Sequence, residues 1–173
     1  MPAAPAESLA VALDVSLPVA LPVPLLVAAG MVAGSASDGK SFGPDQVHAL
    51  TNDATGLPVV LSVACETGAL QGPKPSLAEE LLFYRGADGP VHGALAVIAS
   101  TVDSFTDVNA RFNGYLFDAL ASDAASVPDL GTLLGLANNR LVRDNNGSLL
   151  ANVEMYLLVG DPTLKPWLRA GVR

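Results

Sequence analysis

Leu57-Pro58-Val59-Val60-Leu61-Ser62-Val63-Ala64-Cys65-Glu66-Thr67-Gly68 is an apolar run that ends in a small polar turn carrying the only cysteine of the chain. Pro58 to Ala64 is short, contains three valines, and follows the turn residues Asn52, Asp53 and Gly56. That pattern predicts a strand buried on both faces, as in a parallel sheet covered by helices. Cys65 closes the strand. A buried strand that delivers one thiol to a sheet edge can present a nucleophile. Free cysteine is also among the most buried residue types, so inert filler is the plainer alternative.

The segments on either side repeat the strand–helix alternation. Val23 to Val32 is continuously apolar or small and reads as another central strand, ending at Gly34-Ser35. Pro44 to Leu50 reads as a short helix with Val47 and Leu50 inward. Ser76-Leu77-Ala78-Glu79 is a capping box that opens a helix to about Arg85, with Leu77, Leu81 and Leu82 on one face. Val91 to Ser100 reads as a third strand. Val108 to Leu120 follows helical spacing through Val108, Phe112, Tyr115, Leu116 and Leu120. Pro128-Asp129 starts a further helix carrying Leu130, Leu133, Leu134, Ala137 and Leu141. Leu149 to Leu158 reads as a helix, or a helix plus a strand, with Val153, Tyr156 and Leu157 inward. The expected fold class is α/β: a three-layer α/β/α sandwich with a mostly parallel sheet.

Composition narrows the function classes. Hydrophobic residues make up 50% and charged residues 15%, which excludes a disordered chain. The formal charge of -8 disfavours binding to phosphate backbones, so no nucleic-acid partner is expected. One cysteine makes no internal disulfide, and two histidines with one cysteine are too few for a structural zinc site, so neither cofactor nor metal is expected. No charge falls between Asp14 and Asp38, yet Pro18, Pro22 and Pro24 interrupt that stretch and argue against a stable membrane span. The charges ahead of it, Glu7 and Asp14, are negative, unlike an export signal. Residues 1–20 are therefore read as an irregular lead-in and 21–173 as the domain.

Sites in parallel α/β sheets gather beyond the carboxyl ends of the strands. Two such ends stand out: Val32-Ala33-Gly34-Ser35 and Cys65-Glu66-Thr67-Gly68. A cysteine peptidase needs a thiol, a base and amide donors for the oxyanion. The Cys65 and Gly34 amides are the candidate donors.

Five pieces then fall in order. Leu50-Thr51-Asn52 with Pro58 leads into Ala64-Cys65-Glu66-Thr67-Gly68. Leu77-Ala78-Glu79 follows, then Gly93-Ala94-Leu95-Ala96-Val97 running to Ser100-Thr101, then Gly160-Asp161-Pro162-Thr163-Leu164. Together they resemble the gingipain-type cysteine peptidases of the caspase-like fold group, over about Leu26 to Leu164. The resemblance implies a cysteine endopeptidase with Cys65 as nucleophile, a peptide or protein substrate, and a secreted or cell-envelope location.

One departure bears on activity. The family's strand ends in Gly-His-Gly-Ser with the catalytic histidine; here the match is Val32-Ala33-Gly34-Ser35, so alanine occupies the histidine position. His48, on the short helix, is the remaining candidate for a substitute base, beside its plainer reading as a surface residue. His92 falls at the start of the third strand, the opposite end from the site. Glu66 reads as a solvated turn carboxylate, Asp161 as a turn residue, and Ser100 and Thr101 as candidate walls of a substrate pocket. A free thiol is only a few per cent ionised at neutral pH, and a positioned base contributes roughly 10²–10⁴-fold. Two functions therefore stay open: a cysteine peptidase, and a catalytically silent relative acting in binding or assembly. A related caspase-like module with a Ser-Ala-Cys-Glu-Thr-Gly motif is a further alternative, matched here by Val63 to Gly68. Few residues precede the first strand, so the chain could be a catalytic half whose sheet keeps an exposed edge for association.

Overall fold

The computed structural model describes residues 25–28, 42–52, 56–85, 89, 92–121, 127–144 and 150–166. Elements follow in the order β1 (Leu25–Ala28), α1 (Pro44–His48), β2 (Val59–Ser62), α2 (Leu77–Phe83), β3 (Ala96–Ser100), α3 (Thr106–Ala121), α4 (Leu130–Asp144), α5 (Leu150–Val153) and β4 (Tyr156–Gly160). The four strands form one sheet in the order β1-β2-β3-β4. β1, β2 and β3 are parallel, with Ala28 opposite Ser62 and Ser62 opposite Ala99. β4 runs antiparallel to β3, with Tyr156 opposite Ser100.

Side-chain alternation along β2 and β3 builds the layers. Val59, Leu61, Ala96 and Ile98 point to one face, where α3 and α4 cover them with Val108, Phe112, Leu116, Leu120, Leu130, Leu133 and Leu141. Val60, Val97 and Ala99 point to the other, against Val47 of α1 and Ala78 and Leu81 of α2. Every residue of β2 and β3 is buried, as a strand apolar on both faces must be. The structure is thus the three-layer α/β/α sandwich with a mostly parallel sheet that the alternation predicts.

Local signals set the boundaries. The capping box forms as expected: Ser76 Oγ accepts from the Glu79 amide at 3.3 Å, and the Glu79 carboxylate accepts from the Ser76 amide at 2.8 Å. The third strand begins later than its apolar run, at Ala96. Gly93 sits at φ +108, and the Ala94 amide donates to Leu81 O of α2 at 2.8 Å; only from Leu95, whose amide donates to Pro58 O at 2.8 Å, does the chain turn to β2. Leu149 to Leu158 divides into α5 and the start of β4. Tyr156 is buried as expected, but Leu157 is 37% exposed, because a strand alternates and sends neighbouring side chains to opposite faces. The first expected strand is described over Leu25–Ala28, and the expected lead-in 1–20 lies outside the described residues.

Candidate active site

β2 ends at Ser62, and Cys65 follows in a tight turn at the carboxyl edge of the parallel strands. Glu66, a non-glycine, takes φ +54, a left-handed conformation that costs of order 1 kcal/mol. The turn is held in it from β3. The Glu66 amide donates to Val102 O at 3.1 Å, and the Gly68 amide donates to Ser100 O at 2.8 Å. A Cβ at position 68 would stand 2.9 Å from that of Ala99, so only glycine permits this approach. Thr67 closes the turn by donating its hydroxyl to Ala64 O at 3.1 Å, and its carbonyl accepts from the Ala78 amide of α2 at 2.9 Å.

The Cys65 thiol is half-buried and free. Its neighbour is Ser104, on the segment between β3 and α3. The thiol donates to Ser104 O at 3.3 Å, and the Ser104 amide and hydroxyl lie 3.3 and 3.5 Å from Sγ on the donor side. Asn109 of α3 donates from Nδ2 to Ser104 Oγ at 2.8 Å. Tyr156 of β4 donates its phenol proton to Asn109 Oδ1 at 2.5 Å. Burial pushes the Tyr156 phenol up from 10.0 to about 12; the Ser104 hydroxyl opposes this, and negative charge on Cys65 adds to it.

Ser104, Asn109 and Tyr156 were absent from the sequence-level site. Their contacts with one another and with Cys65 span 39 to 47 residues, except for the pair five apart, and so depend on tertiary packing. The available signal was Tyr156 itself: an inward tyrosine needs a partner for its hydroxyl.

The other expected site residues spread differently. Ala33 and Gly34 lie outside the described residues. β1 runs parallel to β2 in register, so the chain leaves Ala28 at the same sheet edge from which Cys65 emerges. His48 stands on the helical layer, with Nε2 2.8 Å from Glu80 Oε2 and its ring stacked on Tyr84 at 3.9 Å. Those contacts are with the middle and end of α2, whereas the Cys65 turn joins its first turn. His92 has Nδ1 2.6 Å from Asn52 O, at the opposite end of β3 as expected. Ser100 is fully buried and donates its hydroxyl to Val102 O at 2.8 Å, so it builds the loop rather than lining a wall. Thr101 likewise donates to Met155 O at 3.2 Å.

Three of the shared motif pieces are structural. Asn52 donates to Gly93 O at 2.8 Å and accepts from the Gly93 amide at 3.1 Å, which clamps the lead of β2 to the lead of β3. In Gly160-Asp161-Pro162-Thr163-Leu164, Asp161 accepts from the Thr163 amide and hydroxyl at 2.8 and 2.7 Å, and these bonds hold its carboxyl below the usual range. Pro162 O and Leu164 O then accept from the Gly131 and Leu130 amides, filling the open end of α4. Among the described residues no group of three His, Cys, Asp or Glu could hold a metal ion, and no helix is long and apolar enough to cross a membrane.

The fold resembles the crystal structure of the Arg-specific cysteine proteinase gingipain R (RgpB), with TM-score 0.72 and 24% identity over 84% of this chain and 34% of that one. The complex of Porphyromonas gingivalis RgpB pro- and mature domains matches with TM-score 0.71 and 23% identity, over 84% of this chain and 34% of that one. A further protease structure matches with TM-score 0.69 and 16% identity, over 84% of this chain and 36% of that one. The chain therefore spans about a third of the length of these neighbours. No curated protein sequence matches it. The sequence profile described as Peptidase family C25 matches residues 29–167, most of the length, and the chain belongs to that family.

Proposed function

We propose that residues 21–173 form a cysteine peptidase domain in which Cys65 is the nucleophile and the Cys65 and Gly34 amides receive the oxyanion. The observation that carries this reading is the placement of Cys65. It emerges at the carboxyl edge of a parallel sheet, half-buried, with donors aimed at its sulfur. The substrate is a peptide or protein. The neighbour gingipain R is Arg-specific, and the net charge of -8 on this chain is compatible with a basic side chain in the substrate.

Ala33 favours a second reading, a catalytically silent relative that binds rather than cleaves. Alanine at the family's histidine position leaves the thiol without that base and the leaving amine without that acid. His48 would have to leave Glu80 and Tyr84 to serve instead. Fluorogenic peptides with basic, acidic and apolar residues before the scissile bond test the choice, after reducing treatment of the full chain. Turnover above a Cys65→Ala control supports the peptidase. Turnover equal to that control leaves the binding module.

A further inference from the structure

The polar groups around Cys65 have a direction. The Tyr156 phenol has one proton and gives it to Asn109 Oδ1. With its oxygen end so engaged, the Asn109 amide turns its nitrogen to Ser104, and an amide nitrogen only donates. Ser104 Oγ therefore accepts from Asn109 and gives its own proton, for which Cys65 Sγ and the Tyr156 phenol oxygen are the two acceptors. Cys65 Sγ, 3.5 Å away, is within reach, and the Ser104 amide approaches the same atom at 3.3 Å. Tyr156, Asn109 and the Ser104 amide thus donate toward the sulfur, and the Ser104 hydroxyl completes the series when it turns to Sγ. When the thiol is neutral, its proton goes to Ser104 O at 3.3 Å. One residue therefore serves both protonation states of the thiol.

The far end of the chain is fixed. Tyr156 stacks on Phe112 with ring centroids 4.1 Å apart, and burial keeps its phenol protonated to about pH 12, so it remains a donor wherever a thiol ionises. Tyr156 is the titratable group whose charge state is coupled to the thiol; Glu66 and Asp103 are acidic neighbours along the chain.

The geometry points to Ser104, Asn109 and Tyr156 as positioning residues for the Cys65 nucleophile, a relay that stabilises its anionic form through the two Ser104 donors. This rests on the reading of Cys65 as the nucleophile. It also gives the sulfur a source of stabilisation that does not depend on a histidine at position 33.

The test is the rate of Cys65 alkylation by iodoacetamide in the full chain, followed by mass spectrometry from pH 6 to pH 10. Those two limits are about the span over which a free thiol titrates. Ser104→Ala is expected to slow alkylation about tenfold at neutral pH, the effect of one lost hydrogen bond to a charged group. Its rate should converge with the parent's at alkaline pH, and Ser104→Thr should restore most of the loss. Tyr156→Phe keeps the stacked ring and is expected to slow alkylation roughly two- to threefold, acting through two more bonds, to Asn109 and from Asn109 to Ser104. In the Ser104→Ala background it should have no further effect, because its influence runs through that hydroxyl. An unchanged rate in Ser104→Ala, a gap that persists at alkaline pH, or additive effects in the double variant would each overturn the relay. Far-UV circular dichroism identifies any variant that fails to fold; Ser104→Thr and Tyr156→Phe are the least disruptive and decide the question in that event. Peptide turnover is not read. An inactive peptidase thus leaves the result standing, and an active one with flat alkylation rates sinks the relay alone.

Discussion

The two ends of the sheet use polar side chains in opposite ways. At the amino end of β3, Asn52 and Gly93 satisfy one another in both directions, with His92 against the Asn52 carbonyl. On the adjoining helical layer His48 pairs with Glu80. These are closed pairs, and their effect is to fasten segments. At the carboxyl end, Tyr156, Asn109 and Ser104 form an open series whose final donors converge on one sulfur. A closed pair contributes stability. An open series leaves its last donor for whatever charge develops at its end. Of the shared motif residues, Asn52 and Gly93 belong to a closed pair and Cys65 stands at the end of the open series.

Substitutions should divide along the same line. The largest effect is expected from Cys65→Ala, which removes thiol labelling completely and any peptide turnover with it, while thermal melting stays close to the parent's. Asn52→Ala should do the reverse. Losing both bonds strands the Gly93 amide and carbonyl, at a cost of about 2–3 kcal/mol in urea unfolding, with the alkylation rate of Cys65 unchanged. If alkylation slows as much as stability falls, the two ends are not separable.

Tyr156 sharpens the comparison through pH. Its phenol holds its proton to about pH 12 in the fold and to about 10 when unfolded. The folded state then binds the proton more tightly. Its contribution is present in full below pH 10 and is lost as pH rises toward 12. The urea midpoint should fall through that window, and Tyr156→Phe should remove this component of the fall. Smallest of all, His48→Ala breaks an exposed pair with Glu80 and is expected to cost under about 1 kcal/mol, with alkylation of Cys65 unaffected. A marked loss of alkylation would place His48 in the chemistry after all.

The sequence foretold the architecture where a pattern repeats at short range. Val59 to Ser62 and Ala96 to Ser100 are apolar on both faces, and that alone requires helices on both sides. The Ser76–Glu79 capping box is local and formed as read. The late start of β3 was not readable, because Gly93 is taken by Asn52 and Ala94 by α2, partners distant in the chain. Leu157 was misplaced when a helical period was carried into what is a strand. The thiol was found because it is the single cysteine at a strand end. Its supporting groups were not, because a serine, an asparagine and a tyrosine carry no spacing that marks them as partners. Asn109 sits beside Val108 on α3, one step off the buried stripe, and only packing against β4 makes that step matter.

The central claim is that this edge of the sheet is a peptidase nucleophile site whose weak point is position 33. Peptide turnover by Ala33→His, measured beside the parent and beside Ala33→His/Cys65→Ala, tests it most directly. The account predicts a gain of about 10²-fold or more over the parent, abolished in the double variant. Equal turnover in all three chains would contradict it.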